Sequence, residues 1–173
     1  MPRGKSESDE PKPALDRLIE IAIEQAESVL IGKPNASILP TFVLENANGD
    51  TALFATPWGS ERDKDITAFA LRHIMRAERV ERYSFISEAW MAVAKPGQEN
   101  LDRLPDDEMP SNRPDRVECV IISASDRTEV KSALLRIVRG EGGTVVRLDR
   151  DRESAKEIRG RFSSLLQPDN EQS

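Results

Sequence analysis

One cysteine, one histidine and one tyrosine among 173 residues leave this chain short of the side chains that most often do chemistry. Cys119 alone cannot make an intrachain disulfide, and a chain of this size without one suits a reducing compartment. It stands in the apolar run 117–122, which marks it as a small core residue. A catalytic thiolate would need a basic partner, and the only histidine, His73, lies on a different element. One histidine and one cysteine give no zinc spacing and little room for a catalytic triad. Gly-x-Ser-x-Gly elbows and EF-hand loops are missing too. The GEGG stretch at 140–143 lacks the Lys-Ser/Thr of a phosphate-binding loop. The expectation is no cofactor and no metal. No apolar run approaches the roughly 18 residues of a membrane span. The opening residues, MPRGKSESDEPKP, are charged and carry no apolar core of a signal peptide. A cytoplasmic location and no membrane partner are therefore expected.

What the chain does have is charge and one domain's worth of apolar residues. Hydrophobic residues make up 38%, charged residues 32%, and the formal net charge is −6. That balance disfavours a general attraction to nucleic acid. The length suits a single domain. Residues 1–12 and 167–173 read as disordered tails around a domain at 13–166.

Within it, Leu15, Leu18, Ile19, Ala22, Ala26, Val29 and Leu30 recur at helical spacing, with Pro13 to open the helix and Gly32 and Pro34 to stop it. Strand-like segments 41–45 and 51–56 flank Asn48-Gly49. A two-residue turn there would set Leu44 opposite Leu53 and Val43 opposite Phe54, in a hairpin covered on both faces. Ser60 and Asp63 then cap a second helix, whose apolar stripe reads as Ile66, Phe69, Ala70, Ile74 and Ala77, with His73 packed at its boundary. A long strand at 83–94 sends Tyr83, Phe85, Ala89 and Met91 one way and Ile86, Glu88 and Trp90 the other. A polar loop at 95–113 precedes a strand at 116–124. Segment 130–139 is ambiguous. Asp126 with Glu129 could cap a helix, yet 136–139, GEGG and 144–148 make a hairpin, and the strand reading is adopted. A helix at 154–166 closes the chain. The fold class is α+β, a mainly antiparallel sheet of about five to six strands with helices packed on it. The element order resembles that of roadblock- and profilin-type domains, a likeness of topology alone.

One constellation could carry function. Glu88 and Trp90 share a strand face, as do Arg116 and Glu118 on the next strand. Antiparallel pairing would gather Glu88, Arg116 and Glu118 beside Trp90, under the 95–113 loop. Two carboxylates near an arginine and an indole could bind a polar ligand, hold a hard cation or do acid–base work. They could equally be a cross-strand ion pair that closes the sheet. Seven arginines crowd the C-terminal third, at 136, 139, 147, 150, 152, 159 and 161. Acids are interleaved and no aromatic stacking platform is present, so a mixed-charge surface is the expectation there.

The stretches SEAWMA, with Ser87, Glu88, Ala89 and Trp90, and PSNRPDRVE, with Pro110, Ser111, Pro114, Asp115, Arg116 and Glu118, resemble a group of uncharacterised bacterial and phage proteins. RIVRGEGG and GRFSSLL add to the resemblance, which covers roughly the second half of the chain and brings no activity with it. It adds Ser111 and Asp115 to the candidate contact residues. The functional expectation is a non-catalytic accessory or interaction protein with a protein partner, and an exposed strand edge could support a homodimer. The alternatives are a small hydrolase using Glu88 and Glu118, and a weak nucleic-acid binder using the arginine-rich third.

Overall fold

A computed structural model describes residues 12–92, 96, 105–152, 162–163 and 165–166. The expected tails (apart from Lys12), most of the 95–113 stretch and all but four residues of the helix expected at 154–166 lie outside the described residues, and those four are turn and bend. The elements run α1 (Ala14–Leu30), β1 (Thr41–Asn46), β2 (Thr51–Ala55), α2 (Glu61–Ala77), β3 (Val80–Met91), β4 (Val117–Ser125), β5 (Val130–Arg139) and β6 (Val145–Asp151). The strands form one antiparallel sheet in the order β2-β1-β3-β4-β5-β6, and the fold is α+β as expected.

The period-two alternation of the strands divides the core into two layers. On one face, Leu15, Leu18, Ile19, Ala22, Ala26 and Leu30 of α1 pack on Ile86, Val120, Ile122, Ala133, Leu135 and Val145. Gly32 ends the helix at φ +76°, where a side chain would be strained, and its N–H donates to the Val145 carbonyl of β6 at 2.9 Å. On the other face, Ala68, Leu71 and Met75 of α2 cover Phe42, Leu44, Tyr83 and Phe85. Phe42 stacks on Phe85 with centroids 4.6 Å apart, and Phe162 meets Phe42 edge-on at 5.3 Å. The Tyr83 hydroxyl donates to the Phe162 carbonyl at 2.7 Å and accepts the Leu165 N–H at 2.9 Å. Burial pushes that phenol up to about 12.

Three local expectations change, and the strand reading adopted for segment 130–139 holds. The β1–β2 register is Leu44↔Ala52, Val43↔Leu53 and Phe42↔Phe54, one residue away from the two-residue-turn pairing. Asn46 causes the shift: its Oδ1 accepts the N–H groups of Asn48 and Asp50, both at 3.0 Å, and so enlarges the loop by one residue, with Gly49 at φ +80°. Within the hairpin, β1 is covered on both faces but every residue of β2 is exposed. Segment 130–139 is a strand. Asp126 Oδ1 accepts the Thr128 and Glu129 N–H groups, at 2.7 and 2.8 Å, as a helix cap would, but the Asp126 N–H to Glu129 carbonyl bond closes a hairpin turn instead.

Helix α2 is rolled relative to the stripe expected of it. Ser60 Oγ accepts the Asp63 N–H as anticipated, at 3.2 Å. However, Ile66 and Phe69 are 57% and 65% exposed, and His73 is exposed with Phe69 edge-on to it at 4.5 Å. The apolar arc of this helix is wider than one contact face, and the sheet takes the side bearing Ala68, Leu71 and Met75. Leu71→Ala should cost about 2–5 kcal/mol in urea unfolding, and Phe69→Ala under about 0.5 kcal/mol. Equal losses would put the helix back in the orientation read from the sequence.

Candidate functional site

The β3–β4 register sets Trp90 opposite Glu118 and Glu88 opposite Val120, so Glu88, Trp90 and Glu118 share the α1 face. They lie toward the end of β3 and the start of β4, and each has a different partner. After α1 the chain crosses back toward β1, and the Ile38 N–H on that crossover donates to Glu88 Oε1 at 2.7 Å. Burial raises the pKa of the half-buried Glu88 carboxyl; the Ile38 N–H opposes the rise, the Glu118 charge adds to it and Arg139 opposes it.

Glu118 meets Arg139 of β5, not Arg116. Arg139 Nε donates to Glu118 Oε2 at 2.7 Å and Nη2 to Oε1, a two-pronged pair, while Nη1 donates to the Gly143 carbonyl at 2.8 Å. Arg139 was read with the interleaved charges of the C-terminal third as part of a mixed-charge surface, whereas the β4–β5 pairing puts it on the Glu118 face.

Arg116 turns elsewhere. Its guanidinium lies over the Trp90 ring, 4.4 Å from the centroid, and Nη1 donates to the Ser111 carbonyl in a 3-10 turn (Pro110–Asn112). Arg116 is exposed and Trp90 is 44% exposed, so the stack forms an open shelf. Ser111 thus contributes its backbone. Asp115 sits at the rim, held by Arg113 Nε at 2.8 Å. Five of the six candidates, Glu88, Trp90, Ser111, Arg116 and Glu118, are connected through this face and turn.

Little here is free to react. Cys119 is buried on the opposite face; its Sγ donates to the Ala89 carbonyl at 3.3 Å, and burial pushes the thiol up to about 11. Among the described residues, no three His, Cys, Asp or Glu side chains group as a metal ion would need. No described helix is long and apolar enough to cross a membrane. Other C-terminal arginines are paired with acids: Arg136 with Asp151, Arg147 with Asp149, and Arg150 with Glu20.

No family model, curated protein or solved structure matches the chain. The geometry therefore stands alone, and the likeness in element order to roadblock- and profilin-type domains is carried no further.

Two measurements check this arrangement. Arg139→Ala should destabilise the fold by about 1–2 kcal/mol, between the ranges for exposed and buried pairs. Arg116→Ala should lose only the exposed stack, about 0.5–1 kcal/mol. The reverse ranking would return Arg116 to the carboxylates. The second concerns pH. A raised Glu88 pKa means that the folded state binds more protons than the unfolded state, from the ordinary carboxyl value near about 4.3 up to the raised one. Glu88 therefore subtracts stability as pH rises through that window. Glu88→Gln does not titrate and can still accept the Ile38 N–H. Its stability relative to the native chain should climb with pH across the window and then level off; a flat difference would show that the carboxyl is not raised.

Proposed function

We propose that this chain is a non-catalytic accessory or interaction protein, of bacterial or phage type and working in the cytoplasm. Its contact surface is the Trp90–Arg116 shelf with the adjoining 105–116 segment. The observation that carries this reading is the division of labour on one sheet face. The carboxylates are committed to the fold, Glu88 to the Ile38 N–H and Glu118 to Arg139, while an indole and a guanidinium are left stacked and exposed. Tryptophan and arginine are the residue types that most often dominate protein–protein contacts. A guanidinium pre-set on a ring and tied to a backbone carbonyl loses little freedom when it meets a carboxylate of a partner.

One observation favours a second reading, acid–base hydrolysis: the raised Glu88 carboxyl is the kind of group that such chemistry recruits. Glu118, the second carboxylate that such chemistry would use, is occupied by Arg139, so the interaction reading is preferred. Nucleic-acid binding is weakened in the same way, since Arg136, Arg139, Arg147 and Arg150 are matched by acids.

A photo-crosslinking residue at position 90, installed in the cell of origin, tests the proposal. Discrete adducts to another protein are expected at position 90, should vanish when Arg116→Glu is added, and should not form from position 147 at the far edge of the sheet. The same adducts from both positions, or none from position 90, would overturn the reading.

A further inference from the structure

The two edges of the sheet are built differently. The outer edge strand β6 carries Arg147, Asp149, Arg150 and Asp151, and the chain after α1 lies against its start through a parallel bridge from Ile31 to Val145. Charges and cover of this kind keep an edge from recruiting another strand. Strand β2, at the other edge, reads TALFA: no charge, no proline and every residue exposed, with Leu53 at 55% and Phe54 at 37%.

The unused hydrogen-bonding groups of β2 can be identified. The Asn46 N–H donates to the Asp50 carbonyl at 3.0 Å and the Thr56 N–H to the Pro40 carbonyl at 2.7 Å. These bonds belong to the inward set, which recurs every second residue, so Ala52 and Phe54 point their backbone groups at β1. Thr51, Leu53 and Ala55 point theirs outward, away from the sheet.

Beside this edge lies a cleft of about 420 Å³ between β2 and α2, lined by the apolar Leu44, Ala52, Phe54, Ile74 and Val80 and, toward the β1–β2 turn, by Asn46, Asp50 and Thr51, with Glu78 of the α2 end. Helical geometry at about 100° per residue carries the apolar surface on from Ile74 through Ala70, Ala77 and Ile66. Glu61, Asp65, Arg72 and Arg76 fall on the other side of the helix, while Asp63 at its first turn, Arg62 and His73 border the apolar stretch. The apolar surface of β2 is thus continuous with the flank of α2 that the sequence had read as buried.

We propose that a second copy of this chain covers this surface, with β2 pairing antiparallel to β2 of its partner about a twofold axis at Leu53. The sequence is self-complementary in that register. Leu53 meets its own copy and Thr51 meets Ala55, and these are the residues whose backbone groups point outward, so each pair can exchange two hydrogen bonds. On the α2 face, small Ala52 falls opposite large Phe54 twice over, and no charge meets a like charge. The small residues Ala70 and Ala77 let the α2 flank approach, and the cleft is closed from both sides. The two sheets become one continuous sheet. A heterologous strand would satisfy the same edge, but nothing in its recognition would require the palindromic match of Ala52 with Phe54.

Sedimentation and light scattering of the full chain at high micromolar concentration test this. The native protein should be a dimer. Leu53→Lys, at an exposed position, should be a folded monomer. Leu53→Pro should also be a folded monomer, because it removes only an outward N–H and spares the β1–β2 ladder. Leu53→Cys should form a disulfide-linked dimer on mild oxidation, since paired Cα atoms across such a ladder lie within about 5.5 Å; Leu39→Cys, equally exposed but off the edge, should not. A monomeric native protein overturns the proposal and leaves the edge to a strand from another protein. A dimer that survives both Leu53→Lys and Leu53→Pro overturns it by placing the interface elsewhere. If those variants fail to fold, the cysteine pair decides: selective crosslinking at position 53 supports the proposal, and its absence overturns it.

Discussion

The antiparallel register of β3 against β4 is the constraint on which the rest of the molecule depends. Nine residue pairs, from Tyr83↔Ser125 to Met91↔Val117, join the two central strands. Sliding one strand by a single residue would turn Val120, Ile122 and Ala124 away from α1 and bring Cys119, Ile121 and Ser123 beneath it. The hydrophobic core therefore fixes the register, and the register in turn places Glu118 beside Trp90. The candidate site is a consequence of core packing: its residues continue the same alternation past the end of the buried segment.

Chain topology adds the second requirement. Helix α1 ends beside β6, where Gly32 bonds to Val145, but the next strand, β1, pairs with β3. The connecting segment has to return across the α1 face of the sheet, and its backbone N–H groups need acceptors there. Glu88 meets that need for Ile38, which explains why a carboxylate occupies a half-buried position at the cost of a raised pKa. A comparable arrangement holds Glu45, almost fully buried, between Arg17 at 2.9 Å and Arg82. In both cases an acid inside the structure is explained by what it holds in place.

The sequence made the strands legible wherever alternation and turn chemistry agreed. Ile86, Glu88 and Trp90 were assigned to one face by parity alone, and β3 and β4 lie as that parity required. It misled where one signal had two physical readings. Asp126-x-x-Glu129 offers the same bonds to a helix start and to a hairpin turn, so the identity of 130–139 was open, and with it the face of Arg139. Asn48-Gly49 announced a turn, but Asn46, two residues earlier, set its length through its side chain. Helix α2 has more apolar positions than one contact can use, and periodicity does not say which arc the sheet will take. The partner of Glu118 was missed because Arg116 lay nearer in the sequence and Arg139 was counted among interleaved surface charges; the exposed flank of α2 was missed for the last of these reasons.

The shelf and the bare edge do not compete for space. Ala55 of β2 is level with Thr41 of β1, and Thr41 with Ile86 of β3. Trp90 is four residues beyond Ile86, so it lies two strands inward from the β2 edge and past the end of β2. At roughly 3.3 Å per residue along a strand and about 4.8 Å between strands, the two are separated by more than the reach of a side chain. A twofold axis at β2 would leave both Trp90–Arg116 shelves uncovered, one at each side of an extended sheet. If the shelf is the contact surface proposed above, a partner carrying two copies of the recognised feature would be held by both, the second attachment occurring at the effective concentration that the first one sets.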